Sequence, residues 1–177
     1  MGRATQDLIN EHQAIVRVLE ILDAMMASAE SDEVMLSYYG EVVGFLKIFA
    51  DTCHHGKEEN FLFTAMVAKG VANEGGPIGA MLAEHVLGRQ HIAAMNTAVE
   101  ARETGAFRTA AIQYRDLLSS HIDKENQVLF PLADRLIGEK QQDEMFKHFE
   151  EHEETVIGHG VHEKLHAMID AWAAHFG

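Results

Sequence analysis

His54-His55-Gly56-Lys57-Glu58-Glu59-Asn60-Phe61-Leu62-Phe63 is written a second time further along the chain, as His121-Ile122-Asp123-Lys124-Glu125-Asn126-Gln127-Val128-Leu129-Phe130. Each copy opens on His, places Lys and Glu three and four residues on, and closes on Leu-Phe. Residues four apart on an α-helix stand one above the other on the same face. His54 with Glu58, and His121 with Glu125, therefore each aim an imidazole and a carboxylate in one direction. A single exposed pair of this kind would be a minor helix salt bridge. Two copies in matching apolar frames read as two halves of one metal site.

The flanking sequence is helical throughout. From about Thr5 to Ala29, the residues Thr5, Leu8, His12, Ile15, Val16, Leu19 and Met26 share one stripe at helical spacing. Ser31-Asp32 signals a cap, and a long second helix runs from about Glu33 to Lys69, ended by Gly70 and the Gly75-Gly76-Pro77 cluster. A third helix, from about Pro77 to Thr104, carries Ile78, Met81, Leu82, His85, Ile92 and Val99 on one face. After Gly105 a fourth runs to about Ile137 and groups Phe107, Tyr114, Leu117, Leu118, His121, Glu125, Val128, Leu129 and Leu132, with Pro131 expected to kink it just beyond the second motif. No stretch alternates apolar and polar residues as a strand does. The fold class expected is all-α: an antiparallel up-down four-helix bundle over about 4–137, extended by a C-terminal helical segment over about 141–176 and interrupted at Gly158-His159-Gly160. The 177 residues are expected to form a single domain.

Four separate helices thus each place a histidine inside an apolar stripe, at His12, His54, His85 and His121. Two of these carry a Glu one turn away. Burying four imidazoles and two carboxylates unpaired would cost several kcal/mol per charged group, a cost that a shared cation removes. Six or more N/O ligands exceed what one Zn takes, and structural Zn sites usually use thiolates. Two irons sharing bridging carboxylates fit better.

These residues resemble the hemerythrin-like, HHE cation-binding domains. CHHGKEENFLF and SHIDKENQVLFP carry the resemblance, with INEHQ and AEHVLGRQH on the flanking helices, and it covers about residues 4–137. It implies an up-down four-helix bundle around two non-heme iron ions joined by an oxo or hydroxo bridge. His12, His54, Glu58, His85, His121 and Glu125 would be the ligands. Activities in the family include O2 binding, sensing of oxygen, iron or redox state, and repair of nitrosative damage at iron–sulfur centres. The chain also departs from the oxygen-carrying members. They have a second His four residues after the third-helix His, where this chain has Arg89, and an Asp where it has Glu125.

Some readings stay open. Ile48, Thr52, His55, Glu59, Leu62 and Met66 make a better periodic stripe than one through His54 and Glu58, whereas alignment of the two copies favours His54/Glu58. A bulge or bend would admit both, with His55 as an additional ligand. Arg89 is either a donor or anion contact behind the metal ligands or an ordinary surface ion pair. Cys53 reads as a small buried side chain, with a redox or supporting role as the alternative. His162 and His166 share a face with Glu163 between them, so that Glu163 is a further possible ligand, while Ala167, Met168, Ile169 and Trp172 dock the segment by apolar contact.

A formal charge of −14 excludes a nucleic-acid footprint or a basic membrane-binding face. The opening residues lack a signal-peptide pattern, no apolar run reaches about 18 residues, and a single Cys suits a reducing compartment. A cytoplasmic protein is expected. Its expected role is to bind O2, NO or peroxide for sensing, scavenging or redox and iron handling. The enzymatic alternative is NO or peroxide turnover or iron–sulfur cluster repair, and the non-catalytic alternative is a bundle stabilised by Zn or Mn.

Overall fold

The computed structural model describes residues 1–177. Helix α1 spans Arg3–Ala27. Helix α2 starts at Asp32, where Ser31 Oγ accepts the Val34 N–H at 3.4 Å and Asp32 and Glu33 lie over the positive end of the helix dipole. It runs as α-helix through Asp32–Phe45, as π-helix through Leu46–His55 and Glu58–Leu62, and as α-helix again through Phe63–Ala68. Pro77 begins α3, Pro77–Glu100, where its missing N–H costs nothing. Helix α4 covers Thr104–Lys124 and continues through a π-helical turn, Glu125–Leu129, into Phe130–Leu136. Helix α5, Glu139–His152, extends through a π-turn at Glu153–Ile157, and α6 is Val161–Phe176. Gly158 and Gly160 both take positive φ (112° and 71°) to turn the chain between α5 and α6.

The architecture is the all-α bundle expected, with no strand. Helices α3 and α4, joined by a short turn, pack along their length; α5 and α6 lie against α1. The interruption falls at Gly158-His159-Gly160 as the sequence suggested. Two departures concern α2 and α4. Ile48 and Thr52, expected on the inner stripe of α2, are exposed. Val16 and Val128 also face solvent. The irregularity expected beyond the motif at Pro131 instead runs through the motif itself. A π-turn lengthens the hydrogen bond from i→i+4 to i→i+5, as from the Phe130 N–H to the Glu125 carbonyl, and so rotates the residues that follow.

Two apolar clusters hold the helices together. One contains Ile15, Leu19, Leu22, Phe45, Phe49, Ile92, Tyr114, Leu118 and Trp172 among others. The second contains Leu8, Leu62, Phe63, Met66, Ile78, Met81, Leu129, Phe130 and Phe149. Each fully buried Leu, Ile or Phe contributes roughly 1.5–3 kcal/mol. That stabilisation at both ends lets the layer between the clusters be polar, and each of α1 to α4 contributes histidine there.

Candidate metal centre

In that layer His12, His54, His55, Glu58, His85, His121 and Glu125 are all buried. The imidazoles of His12, His54, His85 and His121 are each held from behind. His54 Nδ1 donates to Glu11 Oε2 at 2.9 Å, His121 Nδ1 to Glu84 Oε2 at 2.9 Å, His85 Nδ1 to Glu59 Oε1 at 2.7 Å and His12 Nδ1 to Asn126 Oδ1 at 2.8 Å. With the proton drawn to Nδ1 by an acceptor, Nε2 is left with its lone pair pointing inward. The inward nitrogens meet in pairs, His54 Nε2 to His12 Nε2 at 2.9 Å and His85 Nε2 to His121 Nε2 at 3.2 Å. Two lone pairs that close repel, so a proton or a metal ion must lie between each pair.

The carboxylates complete the arrangement. Glu58 turns Oε1 toward His54 Nε2 (3.6 Å) and Oε2 toward His85 Nε2 (3.3 Å). Glu125 turns Oε2 toward His12 Nε2 (3.1 Å) and Oε1 toward His121 Nε2 (3.2 Å). Each carboxylate thus offers one oxygen to each histidine pair. All four oxygens, and both ring nitrogens of His55, are buried without a hydrogen-bond partner. Unsatisfied buried groups of this kind are costly, and here they converge into two sets of potential ligands: His12, His54, Glu58 and Glu125, and His55, Glu58, His85 and His121. The donors are all imidazole nitrogen and carboxylate oxygen, a set that fits iron and other first-row divalent ions. Cys53 Sγ is not among them; it points to Glu11 Oε1 at 3.8 Å.

The model of the hemerythrin HHE cation-binding domain matches residues 3–133. The chain belongs to the hemerythrin HHE cation-binding family. No curated protein and no solved structure matches the chain significantly. As a hemerythrin-family chain it shows how the departure at Arg89 is met. Arg89 stands outside the inner layer, donating to Asp51 Oδ1 and Glu59 Oε1, both at 2.7 Å. His55 enters the layer instead, stacked on His85 at 3.9 Å between ring centroids. The π-helical stretches of α2 make this possible: His54, His55 and Glu58 all turn inward, while Glu59 stops at the rim. The choice between the two registers is therefore resolved by admitting three of the four residues.

Glu163 is exposed on α6 and belongs to neither set. In that segment it is His162 that is grouped with Glu11 and Glu153, and it stacks on Phe49. Glu163 is one position round the helix from the face that Leu165, Ile169 and Trp172 bury.

Four supporting residues escaped sequence reasoning: Glu11, Glu84, Lys57 and Asn126. For Glu11 and Glu84 the signal was present, since a Glu directly precedes each lone histidine in INEHQ and AEHVLGRQH. Lys57 is fully buried among Asp7, Glu11 and Glu153, with Nζ 3.0 Å from Asp7 Oδ2 and 2.8 Å from Glu11 Oε1.

Titration follows from this packing. Against the effect of burial, Glu58 and Glu59 raise His85 to about 9. His54 and His121 are also raised against burial, by Glu58 and Glu11 for the first and chiefly by Glu125 for the second. Burial would raise Glu11, but His54 and Lys57 bring it down to about 2. His55 moves the other way: burial and the neighbouring histidines hold it well below its ordinary value, so it stays a neutral donor.

Proposed function

We propose that this hemerythrin-family protein holds two non-heme iron ions and uses them to bind O2, NO or peroxide, as a sensor, scavenger or redox and iron-handling protein. The observation that carries the reading is the sharing of Glu58 and Glu125, each presenting one oxygen to either histidine group. A closed structural site needs no such shared carboxylates. When bound, an iron pair supplies reducing electrons and a coordination position for a small ligand.

The residues favour a small ligand and an uneven pair. One group has two imidazoles and the other three, so the side of His12 and His54 has fewer imidazole donors. Phe130 stacks on His12 at 5.3 Å and Phe63 on His85 at 5.8 Å. These rings and the full burial of the layer exclude bulk water and favour ligands of a few atoms over larger ones. No helix is long and apolar enough to cross a membrane, and the single buried Cys53 suits a reducing cytoplasm.

The test is the absorption spectrum of iron-loaded protein before and after O2, NO or peroxide. Near-ultraviolet charge-transfer bands that shift on addition and saturate at stoichiometric ligand support a binding role. Consumption of NO or peroxide that continues past stoichiometric amounts would replace it with turnover. Tight retention of a single Zn would select the structural reading.

A further inference from the structure

Behind the inner histidines, the two halves of the chain repeat the same wiring. Glu11 precedes His12 and accepts from His54; Glu84 precedes His85 and accepts from His121. The lysine of each motif then reaches the other oxygen of that glutamate, Lys57 Nζ to Glu11 Oε1 at 2.8 Å and Lys124 Nζ to Glu84 Oε1. The residue after each motif glutamate crosses to the opposite half, Glu59 to His85 and Asn126 to His12. Glu59 carries a cation as well, Arg89 Nη2 at 2.7 Å from the same oxygen that accepts from His85. Wherever the acceptor behind a histidine is a carboxylate, a cation stands behind it; the neutral Asn126 is joined by none. The lysine in His-x-x-Lys-Glu thus has a place as specific as that of the His and Glu beside it.

We propose that Lys57, Lys124 and Arg89 are positioning residues that set the charge behind three of the metal-facing imidazoles and thereby the oxidation state the centre favours. This rests on the iron-pair reading. A carboxylate accepting from Nδ1–H pulls that proton away and makes Nε2 a stronger donor, which favours ferric over ferrous iron. The cation draws negative charge off the carboxylate and counters the effect. Lys57 and Glu11 are buried, so their charges are little screened, whereas Lys124 and Arg89 act from the partly exposed rim of the layer. An exposed ion pair with no further role would contribute little to stability and leave the oxidation equilibrium unmoved.

Lys124 and Arg89 are about two-fifths exposed, so their substitution leaves the packed core intact. The experiment is an anaerobic redox titration of the iron-loaded protein, with dithionite and mediators supplying one electron per ferric ion, read as the ferric-to-ferrous ratio at fixed ambient potential. Lys124→Gln and Arg89→Gln should each raise that ratio by about tenfold, and Glu84→Gln should lower it by about tenfold; tenfold is about 59 mV for a one-electron couple. Lys124→Arg should keep the wild-type ratio. Shifts of one sign in all variants, or no shift while iron stays bound, overturn the proposal and leave the iron-pair reading standing. A wild-type protein that takes up no iron overturns both.

Discussion

His55 lies flat against His85, the ring centroids 3.9 Å apart and the planes 15° from parallel, and neither nitrogen of His55 has a hydrogen-bond partner. An imidazole that is buried, neutral and unpartnered costs the protein about 1–3 kcal/mol without a ligand. His55→Phe keeps the stack and removes the orphaned nitrogens. It should hold or raise the melting temperature of metal-stripped protein while weakening metal binding by about tenfold or more. Calorimetric melting with and without metal checks both halves; a variant less stable without metal yet unchanged in affinity would return His55 to a packing role.

Glu58 and Glu125 connect the two histidine groups, so neither metal should survive the loss of one of them. Glu125→Ala and His121→Ala should lose iron and thermal stability together, because a ligand bound only by the folded state stabilises it, by about 4 kcal/mol at a thousandfold excess over Kd. Elemental analysis beside melting curves reads this directly. Chelation should lower the melting temperature of the wild type and leave Glu125→Ala where it is. Full iron content in both variants contradicts the assignment.

Metal-stripped protein should be most stable in mildly acidic solution, between about pH 4.5 and 6.5. His85 is raised from 6.5 to about 9, so its contribution is fully present below pH 6.5 and is lost as pH rises through 9. Glu11 is lowered from 4.5 to about 2, so its contribution is present above pH 4.5 and is lost as pH falls through 2. Metal binding near pH 7.5 must displace the His85 proton, and titration calorimetry in buffers of different ionisation enthalpy should register proton release. A flat melting temperature from pH 6.5 to 9.5 would show that His54, His85 and His121 are not held by those carboxylates.

Cys53 is buried, and burial together with the Glu11 carboxylate pushes its thiol well above the ordinary range. The native protein should show almost no reaction with a thiol reagent such as DTNB, and the unfolded chain should react with one equivalent. Fast labelling of the folded protein would reopen a redox role.

The C-terminal segment is anchored by Leu165, Ile169 and Trp172, whose Nε1–H donates to Glu41 Oε2 at 2.9 Å. Ile169→Ala should cost about 2–5 kcal/mol. Trp172 is the one tryptophan, so its fluorescence follows the docking of this segment; an unchanged denaturation midpoint would mean that α6 is held elsewhere.

The helices, the Ser31 cap and the break at Gly158-His159-Gly160 were legible because helical periodicity and turn residues are local properties. The pairing of His54 with Glu58 was legible only from the repeat, since periodicity pointed to His55 and Glu59. The π-turns of α2 and α4 leave no mark in composition, and they decide that His54, His55 and Glu58 all face inward. Lys57 was illegible for another reason. A lysine in a polar stretch looks solvated, and its burial depends on Asp7 and Glu153, which come from opposite ends of the chain. Glu163 misled because it sits beside the right histidine but one position off the docked face.

The central claim is that the buried layer binds a pair of metals, and metal-to-protein stoichiometry after anaerobic loading with ferrous iron tests it most directly. The account predicts two iron ions per chain, taken up together and lost together in Glu58→Gln. One ion per chain, or none, in a protein that is folded by circular dichroism would contradict it.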